Sequence, residues 1–390
     1  MAALQRSARY LTLDAWRGVA ILLVIFYHAA SFYLENPASE KPTGAARLAY
    51  AIIRRGWLGV PMFFVISGYC ISATCDATRR RGGGMREYFS RRIRRIYPPY
   101  LIALAITTAA VVVTSALGGG WLLERSYKVL NPASLSVAQW IGNVTLTETW
   151  RPRLMGDKGY LVMLHAWSLC YEEQFYIVCG LALLLARRRF FGVLFAIAAV
   201  VLPIAVYRQF HPGMVRIDGF FFDGRFLLFA AGVVVYYRVR HATITQARII
   251  DVMAAIAVAV AVFAYRRDHD PGNLGKAVAF LFATALIPLY RWDERVADNL
   301  AVRLLAFWGQ RCYSLYLLHA PMVGMVSRAM GVAGVQSPVQ VLLITLPVCT
   351  ALSVLVGWVF HWLVERRFLN PPALVAAPVE AAPAPSIAAG

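Results

Sequence analysis

Ten long apolar runs follow one another along this 390-residue chain, at about 18–34, 57–75, 98–117, 161–186, 190–207, 220–237, 249–265, 275–290, 304–327 and 339–363. About twenty apolar residues of helix cross the hydrocarbon core of a bilayer, so each run is a candidate membrane helix. Only 15% of the residues are charged, against roughly 25% in ordinary soluble domains. The runs therefore predict an all-α, polytopic integral membrane protein with about ten transmembrane helices and no large soluble domain.

The basic residues are grouped in short segments between the apolar runs, and this grouping predicts an orientation. The chain has 39 Lys and Arg against 20 Asp and Glu, a formal net charge of +19, which raises the question of nucleic acid. Short basic loops of membrane proteins lie in the cytoplasm, and the segment 79–95 alone contains eight Arg. We expect both termini inside, in a multi-pass protein of the cell inner membrane. Membrane lipids then surround it, and no nucleic-acid partner is needed to explain the charge.

The predicted organisation has three parts. Residues 1–12 form a cytoplasmic segment, residues 13–369 form the transmembrane domain, and the Ala/Pro-rich residues 370–390 form a disordered cytoplasmic tail. The longest external loop, from about 118 to 160, is a candidate lid or binding loop. The six cysteines form no C-x-x-C pair, so we expect buried thiols and neither a disulfide framework nor a metal site.

Arg17 and His28 are the first candidate site residues. They are eleven residues apart, close to three full helical turns, so they lie on one face of the first helix about 16 Å apart. Ionisable residues inside a membrane are candidates for function, and a neutral imidazole at such depth can act as a general base. The alternative is a histidine that is hydrogen-bonded inside the bundle. Asp14, three residues before Arg17, can pair with it.

Arg92 and Arg95 are the second candidates. They are one helical turn apart in the arginine-rich segment, before a proline pair that we expect to open the next span. Two guanidinium groups on one face suit bidentate binding of phosphate, which favours a cytosolic phosphorylated co-substrate. The alternative is that these charges only set the topology.

The segment 167–176 places Glu172 and Glu173 among aromatic residues at the outer end of the fourth predicted helix. The carboxylates are suited to orienting a catalytic imidazole or binding sugar hydroxyls, and the alternative is an interfacial aromatic belt with acids that reach the headgroups. His319 lies about two turns inside the ninth run, where it can face the same interior as His28. For His319, hydrogen bonding in the core and catalysis are equally open.

Taken together, these segments resemble the membrane-bound acyltransferase 3 family. Six segments carry the similarity, in the family's order, from about residue 10 to 370: 13–20 with His28, 63–69, the arginine-rich segment ending at 96–98, 167–176, 314–319 and 365–368. The resemblance implies about ten membrane helices. It also implies transfer of an acyl group, usually acetyl, from cytosolic acyl-CoA to a carbohydrate or lipid-linked glycan.

The resemblance also assigns roles to residues. The family's Arg-x10-His motif falls on Arg17 and His28, its Arg-x-x-Arg motif falls on Arg92 and Arg95, and its conserved acid falls on Glu172, the neighbouring Glu173 being more replaceable. The three arginines would bind the phosphates of acyl-CoA, a co-substrate, and no permanent cofactor is implied. His28 would act as general base or carry the acyl group, with Arg17, Glu172 and His319 as further catalytic candidates.

A different function class remains open from the residues themselves. A transporter or flippase for glycans or lipids would use His28 and Glu172 as proton-relay or substrate-binding groups, although no internal repeat typical of transporters is visible. A helical scaffold that only binds other membrane proteins would explain none of the buried ionisable groups.

Overall fold

A computed structural model describes residues 10–34, 40–117, 132–211 and 219–369. The predicted tail, 370–390, lies outside the described residues. So do most of the predicted N-terminal segment 1–12 and the first part of the predicted external loop, 118–131. The statements below concern the described residues.

The described residues are mostly α-helical and contain no β-strand, which confirms the all-α prediction. The helices are α1 (Leu13–Leu34), α2 (Gly44–Ile53), α3 (Gly59–Arg80), α4 (Met85–Ala116), α5 (Val137–Thr145), α6 (Arg151–Met155), α7 (Trp167–Leu185), α8 (Phe190–Phe210), α9 (Arg225–Arg240), α10 (Ile244–Asp268), α11 (Pro271–Leu289), α12 (Asp293–Ala297), α13 (Leu300–Gly309), α14 (Cys312–Val332) and α15 (Leu346–Leu363). A π-helical turn, Val341–Thr345, leads directly into α15.

Eight helical segments in the described part of the chain are long and apolar enough to cross a membrane. They are Leu13–Ser31, Gly44–Arg80, Met85–Ala116, Leu164–Leu185, Arg187–Gln209, Ile244–Asp268, Pro271–Ala297 and Pro338–Leu363. The other two predicted spans, 220–237 and 304–327, correspond to the 16-residue α9 and to α13 followed by α14. The structure thus supports a multi-pass membrane protein, while the count of ten and the orientation stay predictions.

Two predicted boundaries are wrong. The arginine-rich segment and the third predicted span form one continuous helix, α4, with Pro98 and Pro99 inside it rather than at its start. Proline lacks an N–H, so the carbonyls of Arg94 and Arg95 have no helical hydrogen-bond donor. The helix continues past this gap in its hydrogen bonding. The ninth run is divided between α13 and α14, which meet at Gln310 and Arg311.

The centre of the bundle is a close contact between α3 and α9, made possible by two glycines. A Cβ on Gly232 would lie 1.9 Å from the carbonyl oxygen of Val65, and a Cβ on Gly68 would lie 2.0 Å from that of Phe229. The ring of Phe229 is 4.6 Å, centroid to centroid, from the ring of Phe64. Small residues let membrane helices approach to backbone contact, and packing then stabilises the pair.

The first helix is held in the same way. A Cβ on Gly309 of α13 would lie 1.6 Å from the carbonyl oxygen of Asp14, and a Cβ on Gly18 would lie 2.1 Å from that of Leu305. Helix α1 also contacts α3, α14 and α15. It is therefore enclosed by other helices, and the face that carries Arg17 and His28 lies inside the protein.

Substitution of Gly232 by alanine tests the contact between α3 and α9. The added methyl group would overlap a backbone carbonyl, so we expect a cost of about 1–3 kcal/mol, measured as a lower midpoint of thermal unfolding in detergent. Gly331→Ala is the matched control, because a Cβ on this helical glycine meets nothing within 4 Å. Equal midpoints for the two variants would contradict the close packing.

Candidate active site

An interior cavity of about 260 Å³ lies between α1, α3, α4, α7 and α14. All six candidate site residues line it: Arg17, His28, Arg92, Arg95, Glu172 and His319. The fold thus brings together residues that lie on four different helices. We refer to this space as the inner cavity.

The inner cavity has a basic end and a histidine end. Arg17 and His28 lie on the same helix, α1, eleven positions apart in the sequence. At 1.5 Å of rise per residue they are about 16 Å apart along the helix axis. The inner cavity therefore follows about three turns of α1.

Two arginines of the basic end are held by protein groups. The Arg17 guanidinium donates to Asp14 Oδ1 at 2.7 Å and to Cys70 Sγ at 3.1 Å, which confirms the expected pair with Asp14. Arg92 donates to Thr74 Oγ1 at 3.0 Å. These contacts fix the orientation of both guanidinium groups beside the inner cavity.

Arg95 differs from the other two arginines. It lines the inner cavity, and among the described residues no carboxylate lies within ion-pair distance of it. An unpaired guanidinium beside a largely apolar cavity favours an anionic ligand, because the ligand supplies the missing counter-charge.

Glu172 connects α7 to α3 and faces the inner cavity. Its Oε1 accepts hydrogen bonds from Ser67 at 2.9 Å and from the Tyr176 hydroxyl at 2.5 Å. The guanidinium of Arg92 lies 5.0 Å from the centroid of the Tyr176 ring. Glu173, by contrast, is not among the residues that line the inner cavity. The structure thus places only the first of the two neighbouring acids in the lining of the inner cavity.

Three histidines meet at the other end of the inner cavity. The ring of His319 is 5.3 Å from that of His28 and 5.2 Å from that of His165, centroid to centroid. His165 was not assigned from the sequence. It lies seven residues, or about two turns, before Glu172, and that spacing was the available signal. His165 lies in the 3-10 turn Leu164–Ala166 just before α7, and its place beside the other rings depends on how this turn contacts α14.

Backbone carbonyls set the protonation of two of these rings. His319 Nδ1 lies 2.8 Å from the carbonyl oxygen of Tyr316, and since a carbonyl only accepts, Nδ1 carries the proton. His319 Nε2 is then an unprotonated acceptor, and it has no hydrogen-bond partner among the described residues. In the same way, His165 Nε2 donates to the carbonyl of Leu317 at 3.2 Å.

The described part of the predicted external loop is an ordered unit that leads into His165. Arg151 is 6% exposed and donates to Glu148 at 2.9 Å and to Asp157 at 2.8 Å. The hydrogen bond to Glu148 has the largest effect in raising the pKa of the Arg151 guanidinium, and the hydrogen bond to Asp157 raises it further. Glu148 also accepts from the backbone N–H of Tyr160 at 2.8 Å. These hydrogen bonds therefore fix the conformation of the loop just before the chain enters α7.

Comparison with known proteins identifies the family. Residues 10–362 match the family model described as an acyltransferase domain, that of the acyltransferase 3 family. The chain belongs to this family. The match covers nearly the whole chain, and it confirms the enzyme interpretation and the resemblance noted from the sequence.

Two relatives show how far the similarity extends. Protein 2 in the picA locus of Rhizobium radiobacter is 27% identical over 198 residues, which are 50% of this chain and 94% of the relative. The O-acetyltransferase OatA of Staphylococcus aureus is 25% identical over 345 residues, 82% of this chain. That alignment covers 52% of OatA, so this acyltransferase 3 chain spans about half of its length. No solved structure matches the chain.

Substitution of Glu172 by glutamine tests the arrangement at α7. Without the carboxylate, Arg92 loses the nearby negative charge and Tyr176 loses a charged acceptor, so we expect acyl transfer to fall by about tenfold or more. Glu173→Gln is the matched control, and we expect it to change activity less than threefold. The measurement is radiolabelled acetyl transfer at equal expression and thermal stability. Equal losses in both variants would contradict the assignment.

Proposed function

We propose that this protein is an integral membrane O-acyltransferase that moves an acyl group, usually acetyl, from acyl-CoA to a hydroxyl of a carbohydrate or lipid-linked glycan. One observation carries the proposal: a single inner cavity joins three arginines to a cluster of three histidines. The similarity to a protein named O-acetyltransferase supports the choice of acetyl. The predicted orientation places the basic end in the cytosol and the acceptor in the periplasm.

The basic end fits the phosphates of acyl-CoA. Arg17 and Arg92 are preoriented by their protein partners, and Arg95 has no carboxylate partner among the described residues. Guanidinium groups bind phosphate through paired hydrogen bonds. The extended pantetheine arm would then follow α1 along the inner cavity and present the thioester to His28.

His28 is placed to activate the acceptor. In direct transfer, its ring takes the proton of the acceptor hydroxyl while that oxygen attacks the thioester carbonyl, the C–S bond breaks, and CoA leaves as a thiolate that is then protonated. In the two-step alternative, a His28 nitrogen attacks the carbonyl and CoA leaves. The acceptor oxygen then attacks the acyl-imidazole, the C–N bond breaks to restore the imidazole, and the hydroxyl proton passes through the His28 ring to the CoA thiolate. Both routes give the same ester and free CoA.

His319 and Glu172 support His28 in either route. The unprotonated Nε2 of His319 belongs to a ring 5.3 Å from His28, centroid to centroid, so it is suited to orienting the catalytic imidazole. Glu172 contributes negative charge on the cavity wall beside Ser67 and Tyr176. That charge keeps Arg92 in place where the donor enters.

Replacement of His28 by glutamine is the decisive test of the catalytic role. Glutamine keeps a polar side chain but neither accepts a proton at neutral pH nor carries an acyl group, so we expect acetyl transfer to fall by about 10²–10⁴-fold. Binding of acyl-CoA should persist. The measurement is CoA release together with label on the glycan, with no ion gradient present.

The control for this variant is His211→Gln, because His211 is exposed and lines neither of the two cavities described here. It should transfer acetyl at the wild-type rate. Full transfer by the His28 variant would refute both the general-base and the acyl-imidazole routes. Turnover that requires a gradient would favour transport instead.

Neutralisation of Arg95 tests the donor site. Loss of a charge-assisted hydrogen bond costs about 1.5–3 kcal/mol, so Arg95→Gln should raise KM for acetyl-CoA roughly tenfold or more and leave kcat within a few-fold. Arg94→Gln is the matched control, since Arg94 is the exposed neighbour that does not line the inner cavity. Identical KM values for the two variants would remove Arg95 from the donor site.

A further inference from the structure

A second cavity of about 820 Å³ adjoins the inner cavity at its histidine end. It is bounded by the ends of α8 and α10 and by the beginnings of α9 and α11, and α1 enters it with Tyr27 and His28. We call it the outer cavity. Under the predicted orientation these helix ends face away from the cytosol.

The two cavities meet at His28. Five residues line both, and they are Val24, His28, Val60, Phe64 and Trp167. His28 is the member of this shared set with an ionisable side chain. A ligand in the outer cavity therefore approaches the imidazole from the side opposite the three arginines of the inner cavity.

The carboxylates of the outer cavity already have protein partners. Asp223 lies 3.6 Å from the Arg208 guanidinium. Asp268 accepts a hydrogen bond from the side-chain amide of Asn273 at 2.9 Å. Asp270 accepts from the backbone N–H of Asn273 at 3.1 Å and so caps α11. These contacts of the three acids stabilise the walls of the outer cavity.

Two cations that line the outer cavity, Lys276 and Arg225, form no ion pair with a described residue. Lys276 Nζ donates to Gln209 Oε1 at 3.3 Å and to Asn273 Oδ1 at 3.2 Å, both neutral oxygens. Arg225 lies over the ring of Trp167, 4.9 Å from its centroid. Among the described residues no carboxylate lies within ion-pair distance of either cation. Neither cation therefore forms an ion pair, and the nearby acids Asp223, Asp268 and Asp270 share the cavity lining with them.

Lys276 and Arg225 both line the outer cavity. A Cβ on Gly224 would lie 3.6 Å from Cε of Lys276, so the lysine stem packs against the residue directly before Arg225. A partly buried ammonium group with only neutral partners is costly to keep. That cost is offset when a ligand supplies the counter-charge.

We propose that the outer cavity binds an acceptor that carries an anionic group, a carboxylate or a phosphate, held by Lys276 and Arg225. This inference rests on the proposed function and names the acceptor class of the same site. Trp57 and Trp167 also line the outer cavity, and aromatic side chains of this kind suit contact with sugar rings. The acceptor is thus an acidic or phosphorylated sugar whose hydroxyl reaches His28.

Binding of matched sugars to the full chain in lipid nanodiscs tests this proposal without any acyl-CoA. The probes are maltotetraose, maltotetraose with one sugar oxidised to a uronate, and maltotetraose 1-phosphate. We expect at least one anionic probe to bind about tenfold more tightly than neutral maltotetraose. The anionic probe that binds more tightly shows whether the outer cavity prefers a carboxylate or a phosphate.

Variants of Lys276 show whether the preference belongs to this cavity. Lys276→Gln should reduce the ratio of anionic to neutral affinity about tenfold, and Lys276→Arg should retain it. Lys41→Gln is the matched control, since Lys41 is exposed and lines neither cavity.

Three results would overturn the proposal. They are equal affinity for all three sugars, no binding of either anionic probe at millimolar concentration, and a preference that survives Lys276→Gln. Release of CoA from acetyl-CoA by the wild-type protein is measured separately. Its absence would refute the proposed function, while the binding ratios still decide the acceptor class.

Discussion

Ionised side chains inside an apolar helix bundle have to be partnered, and this constraint organises the described structure. Arg17 pairs with Asp14 on its own helix and contacts Cys70 on another. Glu172 joins α7 to α3 through Ser67. Because an unpaired charge costs several kcal/mol in such surroundings, these contacts hold α1, α3, α4 and α7 around one shared cavity.

A second consequence concerns the path through the protein. The inner and outer cavities both reach His28, and the apolar residues Val24, Val60 and Phe64 line both cavities where they meet. In the proposed reaction the donor and the acceptor thus remain on their own sides, and only the acyl group passes from one to the other. The positive charge at both ends suits two anionic ligands, which the apolar junction keeps apart.

Much of the site was visible in helical spacing. The separations of eleven positions between Arg17 and His28 and of three positions between Arg92 and Arg95 predict a shared face, because each pair lies within one helix. The proline pair was misleading, since Pro98 suggested a helix start where α4 is continuous. His165 was missed because nothing in its local sequence tells which ring lies opposite. Its neighbour His319 is more than 150 positions away along the chain.

By itself the sequence determined the all-α membrane class, the acyltransferase 3 resemblance and the six candidate side chains, because hydropathy and helical periodicity act over short stretches of chain. Only the tertiary structure decided that these side chains line one cavity and that His165 joins His28 and His319. It also decided that Lys276 and Arg225 line a second cavity without an ion-pair partner among the described residues. Those relations depend on which helices touch. Contact is decided by features such as the close approach at Gly232 and Gly309, where packing between distant segments, rather than local propensity, sets the distance.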